Sequence, residues 1–405
     1  MRYDVAALRE QFPSLRSGIA HFDGPGGTQT PRAVGEAVAA TLLGPLSNRG
    51  TGVLSERNAE AAVEAFRSAF ADFLGVPARG VVYGRSATQL TFDLSRAISR
   101  TWGPGDEVVV SRLDHDCNVR PWVIAAEARG ATVCWIDLDP ATGEADPASI
   151  DAAIGPRTRL VAITGASNLI GTRPPVRAIA DQAHAAAPGA LVWVDGVHHA
   201  PHTLPDLAAL GADLYVCSPY KFFGPHCGVL GADPALLETL HPDKLAPSTN
   251  DVPERFELGT LPYELMAGAT AAVEVLAGIA PGDATGRRAR LAASYHAIDE
   301  HELRLRTRVE EGLAGFGVDV VLHSHAADRT PTLFFTLPGR RAADAGAFLA
   351  AHDVQAPAGT FYAYEAAKRL DLGGDDRGVR VGIAPYTDDT DVDRLLAALG
   401  VFLGR

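Results

Sequence analysis

Two residues of this chain are placed so that they could do chemistry together. Lys221 lies in Cys217-Ser218-Pro219-Tyr220-Lys221-Phe222-Phe223-Gly224-Pro225, just past an apolar run, and Asp195 closes the earlier run Leu191-Val192-Trp193-Val194-Asp195. An amine and a carboxylate held beyond two buried strands suit pyridoxal phosphate. That cofactor needs a lysine for its aldehyde and a carboxylate that keeps its pyridine nitrogen protonated, so that the ring draws in electrons. Taken singly, Asp195 reads as the cap of a following helix and Lys221 as a surface lysine. The Ser-Pro-Tyr and Phe-Phe-Gly-Pro flanks argue against the second, because they restrict the backbone and set aromatic rings around the amine.

The elements that must position these residues are legible as a pattern. The runs Gly80-Val81-Val82-Tyr83, Glu107 to Ser111, Thr132 to Ile136, Leu160 to Thr164, Leu191 to Asp195 and Asp213 to Ser218 are short, apolar and rich in β-branched residues. Ala-rich amphipathic stretches such as Pro175 to Ala186 separate them. This alternation predicts an α/β domain with a mostly parallel sheet. In such sheets ligands bind beyond the carboxyl ends of the strands, where Asp195, Ser218 and Lys221 would converge. After about residue 270 the texture changes to long helical stretches (Leu265 to Ala280, Arg287 to Phe316) broken at Pro281-Gly282-Asp283. Separated strand signals follow at Val318 to Leu322, Thr332 to Thr336 and Val379 to Ile383. We therefore expect a large domain over 20–270 and a smaller α+β domain formed by 1–19 and 271–405.

Composition sets the frame. The chain has 405 residues, 47% hydrophobic and 21% charged, which suits two globular domains. A net charge of −13 weighs against a nucleic-acid partner, which needs a basic surface. There is no run of about 18 apolar residues and no signal-peptide pattern at Met1-Arg2-Tyr3-Asp4-Val5, so a cytoplasmic protein with no membrane partner is expected. Cys117, Cys134, Cys217 and Cys227 lack Cys-x-x-Cys spacing and read as reduced thiols.

These motifs, in this order over nearly the whole chain, resemble the class V aminotransferases, fold type I pyridoxal phosphate enzymes, and among them the group with the cysteine desulfurases and selenocysteine lyases. The resemblance implies a seven-stranded-type sheet in the large domain. It also implies Lys221 as the Schiff-base lysine and Asp195, in Val194-Asp195-Gly196-Val197-His198, beneath the pyridine nitrogen. In Leu113-Asp114-His115-Asp116-Cys117-Asn118, His115 is similar to the histidine that stacks on the ring. Gly84-Arg85-Ser86-Ala87-Thr88-Gln89 resembles the helix start that grips the phosphate through Ala87 and Thr88, as backbone N–H groups at a helix N-terminus favour an anion. Ser218 would be a second phosphate ligand, and Asn168 would approach the ring hydroxyl. Thr260, in Arg255-Phe256-Glu257-Leu258-Gly259-Thr260, would reach the phosphate of a neighbouring subunit in a homodimer. Arg380 would clamp the substrate carboxylate with its planar fork. Asn118, Gly27 (in a glycine-rich segment that looks like a substrate-side loop) and Tyr362 would also face the substrate.

The departures concern the reaction. Desulfurases carry a nucleophilic cysteine in a small-domain loop, but here Val354 to Tyr364 contains none, and none follows Cys227. Tyr220 occupies the usual histidine position before the lysine and His198 the usual glutamine position after the aspartate. Both remain cofactor-side residues. Cys117 reads as a packing residue. The resemblance implies an amino-acid substrate that displaces Lys221 to form an external aldimine, after which carbon–sulfur cleavage of cysteine or a cysteine conjugate is the first expectation. An epimerase or an aminotransferase is the alternative. Two other classes fare worse. Gly24-Pro25-Gly26-Gly27-Thr28-Gln29 lacks the third glycine of a dinucleotide fingerprint. Asp195, His198, His199 and His202 as a metal-binding hydrolase site is a minor alternative, since Pro201 interrupts the turn that would align His198 with His202.

Overall fold

Strands that are apolar at every position must be covered on both faces, and this requirement builds the centre of the molecule. A computed structural model describes residues 3–372 and 378–405. Its strands are β1 (Ala20–His21), β2 (Val81–Gly84), β3 (Glu107–Ser111), β4 (Thr132–Ile136), β5 (Thr158–Thr164), β6 (Leu191–Asp195), β7 (Leu214–Cys217), β8 (Gly228–Ala232), β9 (Val321–Leu322), β10 (Thr332–Thr336), β11 (Val354–Gln355) and β12 (Val379–Gly382). Seven of them form one sheet in the order β2-β8-β7-β6-β5-β3-β4. The pairings from β7 through β4 are parallel, and β8 runs antiparallel to both β2 and β7. Alternate residues of β6 feed opposite cores: Val192 and Val194 join one apolar cluster, Trp193 the other.

The strand order reverses between β3 and β5, with β4 outside β3. A crevice opens at such a switch point, and the segments that follow β3, β5, β6 and β7 all empty into it. The second sheet, β12-β10-β9, is antiparallel, with Phe334 opposite Arg380. Its core includes Leu305 and Val309 from the long helix Arg287–Ala314 and Leu395 and Leu399 from the helix Asp389–Leu403. The two sheets are stitched together at Gly171–Arg173, where Thr330 N–H donates to Gly171 O (2.9 Å) and Arg173 N–H donates to Asp328 O (3.0 Å). Division into 20–270 and 1–19 plus 271–405 is our proposal for the folding units, and side-chain packing runs across it. Leu8, Phe12 and Leu15 pack in the larger cluster, whereas Ala20 and Phe22 pack in the smaller one.

Several sequence expectations fall on the observed elements with little change, including β3, β4, β6 and β10. The expected strand over Val318 to Leu322 is only Val321–Leu322, because Gly317 (φ 59°) opens a one-turn 3-10 helix, Gly317–Asp319, in front of it. Strand β8, Gly-Val-Leu-Gly-Ala, gave no sequence signal, and its glycines explain why it is needed. A Cβ on Gly228 would come within 2.4 Å of the Ser86 carbonyl carbon and 2.6 Å of Ala87 N. Only a glycine lets the start of the helix Ala87–Ile98 lie directly on the sheet. Among the described residues, no helix is long and apolar enough to cross a membrane. Gly228→Ala should therefore destabilise the cofactor-free protein by about 1–3 kcal/mol, the usual cost of overpacking. It should also weaken pyridoxal phosphate binding; thermal melting with and without the cofactor measures both.

Candidate active site

Lys221 ends a one-turn helix, Pro219–Lys221, directly after β7. Its Nζ donates a hydrogen bond to Pro25 O, in the segment that follows β1. Burial, and then the charge of Arg380, lower the amine from its ordinary value to about 7, with Asp195 pulling the other way. At neutral pH a substantial fraction is therefore the free, nucleophilic amine. Asp195 is buried at the end of β6, where Oδ1 accepts from Val197 N–H (2.8 Å) and Oδ2 faces the Cys117 thiol (3.5 Å). Burial raises this carboxyl. The weak thiol donor leaves it short of a strong partner, which a protonated ring nitrogen would supply.

His115 follows β3. Its Nδ1 accepts from Cys117 N–H (3.1 Å), so its proton sits on Nε2. Burial and the Lys221 charge push it down to about 4, and it is neutral at physiological pH. Burial and the adjacent Asp195 push the Cys117 thiol well above its ordinary value, the opposite of what a nucleophilic cysteine needs. At the start of the helix Ala87–Ile98, Ser86 Oγ takes the Gln89 N–H (3.0 Å). The N–H groups of Ala87 and Thr88, on the first turn, have no intrahelical acceptor and open toward the pocket beside the Ser218 side chain. This is a ready cradle for a phosphate.

The far wall comes from the small sheet. Arg380, on β12, donates through one terminal nitrogen to Asn168 O (2.8 Å), and its guanidinium lies 3.6 Å over the Phe361 ring. Burial lowers it to about 9, which leaves it cationic at neutral pH. The segment in front of it is fastened to the large sheet through its backbone. Asn168 Nδ2 donates to Phe361 O (2.8 Å), and Asp116 N–H donates to Tyr362 O (2.8 Å). Both residues hold left-handed backbone, φ 54° and 59°, a strained conformation for residues with side chains. Tyr362 stacks on His115 with ring centroids 5.4 Å apart while remaining 75% exposed.

Most of the residues expected from sequence thus share one pocket of about 690 Å³: Ala87, Thr88, His115, Asn168, Asp195, His198, Ser218, Tyr220, Lys221, Tyr362 and Arg380. Three do not. Asn118 is fully buried and turned inward, donating to Asp114 Oδ1 (2.6 Å) and accepting from Trp122 Nε1 (3.2 Å), so it braces the His115 segment instead of facing a substrate. Gly27 lies behind the wall, where a Cβ would meet Tyr220 at 3.4 Å, and Pro25 and Gly26 line the pocket in its place. Thr260 lies in a separate surface cavity with Arg85 and His226, its hydroxyl 3.4 Å from Asn48 Oδ1. The imagined metal cluster also disperses. His198 turns to Thr332, His199 to Tyr215 and His202 to Glu302, each at 2.9 Å. Among the described residues no group of three or more His, Cys, Asp or Glu side chains could hold a metal ion. Sequence reasoning gave no role to Phe361 or to the Pro25 carbonyl; neither belongs to a periodic pattern.

The residues fit pyridoxal phosphate on the structure's own terms. A buried acid whose Oδ2 has only a weak thiol donor, a helix start with free N–H groups and a half-neutral lysine line one pocket, and two buried polar atoms there, Asn168 Oδ1 and His198 Nδ1, have no hydrogen-bond partner. Comparison with known proteins agrees. Residues 20–395 match the family described as aminotransferase class-V. An uncharacterized protein of Mycobacterium tuberculosis is 33% identical over 98% of this chain and 99% of its own length. A cysteine desulfurase of Dickeya dadantii is 30% identical over 98% of this chain and 96% of its own. The crystal structure of a cysteine desulfurase from Escherichia coli superposes with a TM-score of 0.87 at 27% identity, covering 100% of this chain and 99% of that one. The chain belongs to the class V aminotransferase family and is a pyridoxal phosphate-dependent enzyme of fold type I.

With the amine at about 7, covalent capture of added cofactor by the cofactor-free protein should be fast and flat above that pH. Below it, the rate should drop about tenfold per pH unit as Lys221 protonates. Stopped-flow absorbance of the visible band measures this, and Lys221→Ala should show no bond that borohydride can fix.

Proposed function

We propose that this enzyme cleaves the carbon–sulfur bond of cysteine or a cysteine conjugate and releases the sulfur as a free thiol. What carries the proposal is the single pocket in which a half-neutral Lys221 faces Arg380, closed by a wall that contains no thiol. Bound pyridoxal phosphate supplies an electron-withdrawing ring that lets the substrate Cα give up its proton. Ala87, Thr88 and Ser218 would hold its phosphate, Asp195 its ring nitrogen, and His115 one face of the ring. Arg380 would receive the substrate carboxylate, with its plane already set by Phe361 and Asn168. Lys221, as a free amine, would take the Cα proton. The electron pair of the Cβ–S bond leaves with sulfur, which picks up a proton. One water is consumed overall, giving pyruvate, ammonium and either hydrogen sulfide from cysteine or a thiol from a cysteine conjugate.

Transfer of the sulfur to the enzyme has little support in the site. Cys117, the one cysteine on the pocket lining among the described residues, is held as a thiol against Asp195. The wall around Phe361 and Tyr362 is fastened at two carbonyls. The same proposal takes the enzyme to be a cytoplasmic homodimer in which Thr260, exposed on its own subunit, reaches the phosphate of the neighbouring site.

Incubation with L-cysteine should yield pyruvate and sulfide in equal amounts, S-substituted cysteines should yield pyruvate and thiol in equal amounts, and Cys117→Ala should keep at least about a tenth of that turnover. Alanine with a protein-bound persulfide would overturn the proposal in favour of desulfuration. Loss of Cα deuterium with no bond broken would favour the epimerase, and a keto acid formed without thiol release would favour the aminotransferase.

A further inference from the structure

His198 is a buried ring with two different ends. It stands in the turn after β6, and its Nδ1 is closed off from solvent, has no partner and belongs to a residue of the active-site lining. Its Nε2 reaches out of the large sheet to Thr332 Oγ1 on β10 at 2.9 Å and to Thr330 Oγ1, just before that strand, at 3.2 Å. A neutral imidazole carries one N–H, so whatever Nε2 does decides what Nδ1 can offer. Burial keeps the ring neutral, reinforced by the cationic side chains around it, Arg380, Lys221 and Arg173, while the neighbouring His202 turns to Glu302.

The threonines fix the tautomer. Thr330 Oγ–H has its own acceptor, Gly171 O at 3.3 Å. Thr332 is fully buried at the start of β10, and among the described residues its hydroxyl has no partner other than His198. A buried hydroxyl proton must find an acceptor, and the one available is Nε2. Thr332 therefore donates, Nε2 accepts, and the ring's only proton lies on Nδ1, on a residue of the pocket lining.

We propose that Thr332, acting through His198, is a positioning residue: it makes His198 a hydrogen-bond donor to the phenolic oxygen of pyridoxal phosphate. The interaction is assembled across both sheets. Thr332 stands opposite Gly382 and Phe334 opposite Arg380 in the β10–β12 register, so the strand that fixes the proton on His198 is also the neighbour of the one that carries the carboxylate clamp. Docking of the small sheet thereby sets the cofactor's electronic state and the substrate-binding arginine together. A donor at the phenolic oxygen withdraws charge from it, and the adjoining lysine–cofactor nitrogen then holds its proton less tightly.

The inference rests on the proposed cofactor role of His198, and its test reads the pH midpoint of the visible band of the loaded protein, not turnover. Thr332→Val should raise that midpoint by about one pH unit, a tenfold change in proton affinity. Thr332→Ser should restore it. Thr330→Val should leave it in place, because that hydroxyl's proton goes to Gly171 O. A Thr332→Val protein that titrates like the wild type, or a Thr330→Val shift of equal size, overturns the proposal. Should Thr332→Val fail to fold, nitrogen-15 NMR of histidine-labelled, cofactor-free wild-type protein decides it. A proton on Nδ1 of His198 supports the proposal and one on Nε2 overturns it. Failure of the carbon–sulfur reading would appear separately, in the products, with the midpoint shift intact.

Discussion

The structure depends on keeping one ammonium group out of water. An isolated buried charge is expensive, and a lysine placed beside Tyr220 and the strand ends eases that cost by giving up its proton more readily. The 3-10 turn that carries Lys221 is tied on the other side by Thr28, whose N–H donates to Tyr220 O (3.0 Å) and whose Oγ accepts from Phe223 N–H (2.8 Å). Phe223 itself takes left-handed backbone (φ 76°), an arrangement the surrounding core must over-determine. Arg380 adds a second cation that lowers the amine further, and it comes from a different sheet. The reactivity of Lys221 is therefore a property of the assembled protein.

That explains which parts were legible in the sequence. Strands β3, β5, β6 and β7 are buried on both faces, so their apolar runs announce them. Polar residues at or just past their ends, Asp195 and Ser218, stand out against that background. Lys221 was legible for the same reason. The small-sheet wall was not. Phe361 acts through its ring on Arg380 and its carbonyl on Asn168, and neither a backbone carbonyl nor a stacking partner leaves a mark in composition or period. The inward turn of Asn118 toward Asp114 and Trp122 is likewise a matter of three dimensions, since a loop asparagine looks the same whether it faces a substrate or the core. Strand β8 was hidden by the glycines that close packing demands.

Fold and reaction are specified by different parts of the molecule. The parallel strands and the helices that cover them form a fold that the family shares, and the comparisons agree with that fold over nearly the whole chain. Under the proposed reading, which bond breaks falls to Arg380 on the small sheet and to the thiol-free wall beside it. One scaffold can support many chemistries because the two sets are carried on separate sheets.

The wall over the site is joined to the segments after β3 and β5 by two hydrogen bonds that end on main-chain carbonyls, those of Phe361 and Tyr362. A fastening of that kind does not depend on the identity of the side chain beyond it. Tyr362, three-quarters exposed, can consequently be exchanged for another residue that tolerates left-handed backbone while both bonds stay in place.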